Sequence, residues 1–190
     1  MGRIVVHQNI TLDGVIEDPT GDEGFEFGGW FDLMPGDTRE QWAAAEFAEA
    51  KESAAWLIGR GTYTWFAERW ATRDGVWADR LRELTKYVVS ATLRDPDEWE
   101  NTVVLTGDVV EEVTKVRELT DGDIVVYGSA PLVRTLFAND LVDELRLMTH
   151  PFLFGTGDRL FRDLGGKQAL ELVGMRQLGT LALLTYQPVR

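Results

Sequence analysis

The chain has 190 residues, 44% apolar and 27% charged, which supplies one well-buried domain, is short for two, and excludes a disordered polypeptide. Nineteen Lys and Arg face 32 Asp and Glu, a net charge of −13, which disfavours a nucleic-acid or anionic-membrane surface and requires a local positive site for any anionic ligand. Without cysteine there are no disulfides, thiolate metal sites or Cys nucleophile; no metal site is expected, and a reducing, cytoplasmic setting fits.

The opening MGRIVVHQNITLDG alternates at once, and no run approaches the ~20 apolar residues of a membrane span. Arg3 to Ile10 reads as a first strand, ended by the turn Leu12-Asp13-Gly14. From Glu17 to Asp37 no period is sustained, and a loop this long inside a compact domain is usually functional. Its FEFGGWF segment gathers Phe25, Phe27, Trp30 and Phe31, as a pocket wall or a lid on the core; Trp30 and Phe31 are the candidate substrate contacts. Thr38 and Gln41 form a capping-box start for the helix QWAAAEFAEAKES. Trp42, Ala43, Glu46 and Ala50 share one stripe of it, so Glu46 is either a carboxylate on a partly apolar face or a solvated rim residue.

Ala54 to Ile58 forms a buried strand that GRGTYTWF turns into another helix, and the polar segment Arg73 to Arg82 leads to a short one. Lys86 to Ser90 and Thr102 to Leu105 read as strands, separated by RDPDEWEN, a surface loop without evident chemistry. Asp108 caps a helix striped by Val109, Val113, Val116 and Leu119, which Gly122 ends. In IVVYGSAPLVRTLF, residues 124–137, a β-branched strand, the breaker Gly128 and a helix follow without a spacer. Ser129 is placed to N-cap that helix, and Pro131 sits in its first turn, where a missing N–H costs nothing. LVDELRLMTHPFLF alternates in its middle, with Leu145, Leu147 and Thr149 on one side. Ala169 to Gln177 and Leu181 to Gln187 pair across Leu178-Gly179-Thr180 as a hairpin. This order predicts one domain, 1–190: a three-layer α/β/α sandwich on a mixed, mainly parallel sheet with an antiparallel C-terminal hairpin.

The turns at Gly59 to Thr62 and at Gly128 to Ala130 direct free backbone amides and positive helix-dipole ends outward, which suits phosphate. Arg60 adds a planar fork of donors, and Ser90 and Thr92 add hydroxyls at a third strand end. These strand ends are expected to share one locally positive crevice. A G-x-G-x-x-G fingerprint with its acidic ribose ligand is missing, which disfavours a standard Rossmann dehydrogenase. His7 and His150, the only histidines, read as structural, and hydride transfer needs no protein nucleophile. Seven tryptophans on loops and helix faces favour a homodimer that covers exposed aromatic surface.

Leu12-Asp13-Gly14, LIGRGTY, YVVSATL, VVYGSAPLV, LVDELRL and GTGDRLF, in that order over nearly the whole chain, resemble the dihydrofolate reductase superfamily. They resemble most its branch holding the reductase (C-terminal) domain of the bifunctional riboflavin biosynthesis protein and its stand-alone relatives. The resemblance implies a dihydrofolate reductase-like fold with NADPH across the carboxyl ends of the central strands. It puts Arg60, Ser90 and Thr92 at the adenosine 2′-phosphate, and Gly59 and Thr62 at the helix start beside the pyrophosphate. Gly128, Ser129 and Ala130 fall on the pyrophosphate's other side with Leu132 packed nearby, and Asn9 and Ile16 border the nicotinamide. The helix carboxylate that binds pterin in dihydrofolate reductases has its counterpart by face in Glu46, with Glu49 the alternative. Ala91 departs from the larger polar or basic residue common after the serine, and a chain without cysteine lacks the zinc ligands of the deaminase half. The implied activity is NADPH-dependent reduction of a small polar heterocycle, as by 5-amino-6-(5-phosphoribosylamino)uracil reductase. Dihydrofolate reduction and a non-catalytic nucleotide-binding module are the alternatives.

Overall fold

A computed structural model describes every residue except 95, 97, 163 and 165. Its strands are β1 (Arg3–Thr11), β2 (Ala55–Gly59), β3 (Thr85–Val89), β4 (Thr102–Leu105), β5 (Asp123–Tyr127), β6 (Glu144–His150), β7 (Leu170–Leu178) and β8 (Leu181–Pro188). Between them lie α1 (Gly36–Glu52), α2 (Arg60–Trp70), α3 (Val76–Glu83), α4 (Val109–Leu119) and α5 (Ala130–Ala138), with a 3₁₀ turn at Trp30–Leu33. They form one sheet ordered β4-β3-β2-β5-β1-β6-β8-β7. The first six strands are parallel, and β8 and β7 add an antiparallel edge. The expected mixed sheet and C-terminal hairpin are therefore present.

The period of two along β1 and β5 sorts the layers. Ile4, Val6, Ile124 and Val126 point to one face, where they bury against Val113 and Val116 of α4 and Val133 and Leu136 of α5. Val5, Trp56, Ile58 and Val125 point to the other, against Tyr63 of α2 and Leu81 of α3. Both central strands are buried on both faces, as their unbroken β-branched runs require. Helix α1 lies on the second face, over His7 of β1.

Several local signals serve neighbours instead of their own element. Helix α1 starts at Gly36 after Pro35, and no side chain caps it. The Thr38–Gln41 pair of the expected capping box instead holds the hairpin: Thr38 Oγ1 accepts from Thr180 N at 3.1 Å, and Gln41 Oε1 from Gly179 N at 3.2 Å. Ser129 does not cap α5; it lies in the left-handed region (φ 56°), and its Oγ accepts from Gly59 N, 2.8 Å away at the end of β2. Asp108 does cap α4, accepting from Val110 N and Glu111 N. Strand β3 stops at Val89, because Ser90 Oγ accepts from Thr92 N and Leu93 N and turns the chain.

The segment RDPDEWEN, two of whose residues lie outside the described ones, is more than surface: Trp99 is 1% exposed and stacks on Phe66. The tryptophans do not supply the exposed aromatic surface on which a homodimer was expected, since Trp30, Trp56 and Trp99 are fully buried and the other four are partly buried. Among the described residues no helix is long and apolar enough to cross a membrane.

Gly179 is at φ +57°, and a Cβ there would clash with the Thr38 side chain and backbone. Gly179→Ala is expected to destabilise the fold by roughly 2–4 kcal/mol, from left-handed strain plus overpacking. An unchanged urea midpoint would show that the α1–hairpin contact adapts freely.

Candidate active site

Strands β2, β5 and β1 end side by side, and over their carboxyl ends a cavity of about 520 Å³ opens between the sheet and helices α1, α2 and α3. Its size is that of a small-molecule site, and its place is where open α/β sheets bind ligands. The two ends differ in character.

One end is built by glycine turns. Gly61, Thr62, Gly128 and Ser129 line it, facing Ile16, Pro19 and Thr20 of the long loop. Thr62 Oγ1 accepts from Ser129 N at 3.1 Å and lies 2.9 Å from Ser129 Oγ, so the two strand-to-helix turns are stitched together. The Thr62 hydroxyl is thus a brace between turns, not a free cap. Gly128 is at φ +54°, and a Cβ on it would meet Thr62 Oγ1 at 3.1 Å. A Cβ on Gly61 would meet nothing within 4 Å, which leaves open space beside the first turn of α2. Gly59 pairs with Val89 in register, so Arg60 and Ser90 emerge next to each other. Arg60 and Thr92 are exposed. Ala130 and Leu132, at the start of α5, are buried in the core, while Pro131 between them is exposed.

The other end is aromatic and acidic. Trp42 and Phe47 of α1, Phe66 and Trp70 of α2 and Trp77 of α3 wall it, with Phe31 at the loop side. Trp30 is not part of this wall: it is 0% exposed, gives its Nε1 proton to Glu17 O at 2.9 Å, and backs Phe31 edge-on. Helix α1 presents both candidate carboxylates inward, because positions 42, 46, 49 and 50 form one helical stripe that faces the sheet. Glu46 is 7% exposed, so the expected alternative of a solvated rim residue does not hold.

A continuous polar network runs beneath α1. His7 Nε2 lies 3.0 Å from Glu46 Oε1, and its Nδ1 is in ion-pair contact with Glu49 Oε2. Glu49 also accepts from Tyr127 OH at 2.8 Å and from Arg146 Nη1 at 2.7 Å. Asn9 Oδ1 accepts from Trp42 Nε1 at 2.9 Å and lies 3.0 Å from His150 Nε2. This fixes the orientation of the Asn9 amide and directs its Nδ2 to Glu46 Oε1 at 3.1 Å. Oε1 of Glu46 therefore holds two donors, while Oε2 has no hydrogen bond among the described residues, and the side chain lines the cavity.

Burial opposes charge on His7, but the fields of Glu46 and Glu49 and hydrogen bonds to both outweigh it and push its pKa up to about 10. Burial likewise opposes charge on Glu49, yet His7 and Arg146 hold its pKa down at about 2. Burial, with the Glu49 carboxylate beside it, raises the Tyr127 phenol, and burial lowers His150 to about 4. Ligand atoms of His7, Glu46 and Glu49 lie within 4.8 Å of one another. The His7 protons and Arg146 already provide positive charge there, and no metal is invoked.

His7 was the residue least legible in the sequence, where a lone histidine on a strand reads as structural. Its only signal was position: it lies two residues before Asn9 on the same face of β1. Among the described residues no Lys or Arg lines the crevice, and its cationic side chain, His7, is held between Glu46 and Glu49. The positive character of its glycine end resides in backbone amides and in Arg60 outside the lining.

These features define the class as a dihydrofolate reductase-like α/β fold. The chain superimposes on dihydrofolate reductase from Enterococcus faecalis complexed with NADP(H) with a TM-score of 0.58, at 18% identity, covering 100% of this chain and 98% of that one. The profile of the RibD C-terminal domain family matches residues 3–184, and the chain belongs to that family and with it to the oxidoreductases. It is 29% identical over 180 residues, 92% of this chain and 88% of the other, to the uncharacterized protein YyaP of Bacillus subtilis. A putative riboflavin biosynthesis protein from Shewanella sp. PV-4 matches with a TM-score of 0.77 at 19% identity, over 99% of each chain.

Charged His7 stabilises the fold because its folded pKa of about 10 lies above the ordinary 6.5; charged Glu49 does so because its value of about 2 lies below 4.5. The His7 contribution is complete below pH 6.5 and fades as pH rises toward 10, while that of Glu49 is complete above pH 4.5 and fades toward 2. Thermal melts should therefore peak between these limits, with a decline above pH 6.5 that flattens in Glu49→Gln. Equal alkaline slopes in wild type and variant would contradict the pairing.

Proposed function

We propose that the protein is an NADPH-dependent reductase of a small polar heterocycle, related in chemistry to the riboflavin-pathway reductase, working as a single domain. The observation that carries this reading is the meeting of two braced glycine turns with a carboxylate-bearing aromatic chamber in one cavity. NADPH fits the first end: two helix N-termini converge there, and Gly61 leaves open space beside the first turn of α2 for a pyrophosphate. Arg60, exposed and without an ion pair among the described residues, is placed to grip the 2′-phosphate, with Ser90 and Thr92 on the neighbouring strand end. Gly59, Gly128, Ser129 and Ala130 shape the pyrophosphate turn, Leu132 anchors it from the core, and Asn9 and Ile16 border the nicotinamide.

When bound, NADPH supplies the hydride. The protein's part is alignment, exclusion of water by the aromatic wall, and a proton for the substrate. Glu46, which lines the cavity, is the candidate to relay that proton from the charged His7 ring hydrogen-bonded to its Oε1, while Asn9 donates to the same oxygen and holds it still. Glu49, tied to His7, Tyr127 and Arg146, is placed to position the network instead of touching substrate. A dihydrofolate reductase remains the second reading, favoured by the inward carboxylates of α1. A non-catalytic module would bind cofactor without oxidising it in the presence of any acceptor.

Arg60→Ala should raise the Kd for NADPH about tenfold or more, the loss of one charge-assisted phosphate contact, and leave NADH binding unchanged. Fluorescence titration with both cofactors reads this directly, and an equal effect on the two would remove Arg60 from the 2′-phosphate.

Glu46→Gln should lower kcat by about 10²–10⁴, the usual contribution of a positioned acid, with little change in NADPH affinity. Activity retained within twofold would exclude Glu46 as the proton relay.

A further inference from the structure

The chamber over α1 runs against a phosphorylated substrate of the kind handled in the riboflavin pathway. Among the described residues no lysine or arginine side chain lines the cavity, and the acidic side chain of the chamber over α1 is Glu46; Asp18 and Glu23 line the cavity from the long loop, Asp18 with its carboxylate already accepting from Glu23 N and Phe25 N. The cation at its floor, His7, is already held between Glu46 and Glu49. The network around it sets three cations, Arg3, His7 and Arg146, against four acidic side chains, Glu46, Glu49, Asp123 and Glu144. The nearest arginines of the wall are not free for an anion in the chamber: Arg69 pairs with Asp22 and lies over Trp65 at 4.4 Å, and Arg73 lies over Trp70 at 4.8 Å, both outside the lining. The two helix N-termini lie at the glycine end, where the proposed function assigns them to the cofactor. A phosphate dianion in the chamber would lose its hydration and meet the Glu46 carboxylate without a free cation in return.

The wall specifies what does fit. Phe47 meets Trp77 at 6.3 Å between ring centroids, and Trp70 meets Trp77 at 6.2 Å, so α1, α2 and α3 contribute one continuous aromatic surface. Such faces favour a flat ring and, through their quadrupoles, a positive one. The free Oε2 of Glu46 favours a hydrogen-bond donor at the ring's edge.

From this contrast we infer that the substrate is a flat ring compound, neutral or cationic, that carries no phosphate or carboxylate group. The inference rests on the reductase reading for the assignment of the two ends. It separates this chain from a reductase of phosphoribosylated pyrimidines while keeping the same cofactor and the same class of reaction.

Matched probes test it on NADPH-saturated protein by calorimetry at millimolar concentrations: cytidine against cytidine 5′-monophosphate, and 1-methylnicotinamide against nicotinate. The unphosphorylated and cationic members should bind at least tenfold more tightly than their anionic counterparts, and Glu46→Gln should shrink the second ratio toward one. Cytidine 5′-monophosphate or nicotinate binding as tightly as its counterpart would overturn the inference and leave the cofactor reading intact. NADPH failing to bind at all would overturn the cofactor reading, and the same probe ratios on the free protein would still decide the inference.

Discussion

The protonated His7 ring, held between two glutamates of one helix, is the constraint on which the site depends. It ties β1, the centre of the sheet, to α1 at two points one helical turn apart. A buried ion pair of this kind is weak as a source of stability, because desolvation offsets much of the attraction. Its effect is geometric. Helix α1 is held at one height and rotation over the sheet, and that placement leaves room for the cavity and brings Glu46 into its lining. Arg146 and Tyr127 close the network on Glu49, so the two carboxylates, three residues apart, have different environments.

The division of the cavity follows from two kinds of charge. At the glycine end, positive potential comes from amides at helix starts, which needs no cationic side chain and so survives in a molecule with a net charge of −13. At the other end, side chains decide, and they are aromatic or acidic. The brace between Thr62 and Ser129 keeps the amides of both turns in one orientation. The match to the RibD C-terminal domain family spans both ends, from residue 3 to residue 184.

Much of the fold was legible because its signals are local. β-branched runs, helical stripes and glycine breaks located most elements within two residues, but α3 (Val76–Glu83) lies almost wholly inside Arg73–Arg82, which reads as a polar connection before a short helix because its apolar positions are few. The other misreadings share one cause. Thr38, Gln41 and Ser129 are ordinary capping residues whose hydrogen bonds go across space, to the β7–β8 turn and to Gly59. Lys86, expected merely to open β3, is fully buried and gives its ammonium protons to the carbonyls of Leu81 and Arg82 at the end of α3. Trp99 lay in a segment that reads as surface by composition, yet it fills the core beside Phe66.

By itself the sequence determined the order of strands and helices, the mixed sheet with its antiparallel edge, and the glycine turns, since periodicity and backbone breakers act over a few residues. Only the tertiary structure decided that both glutamates of α1 face inward, that an apparently structural histidine joins them, and that no Lys or Arg among the described residues lines the crevice. Those outcomes depend on groups far apart in the chain, among them His7, Glu49 and Arg146, and on the burial that makes their charges matter.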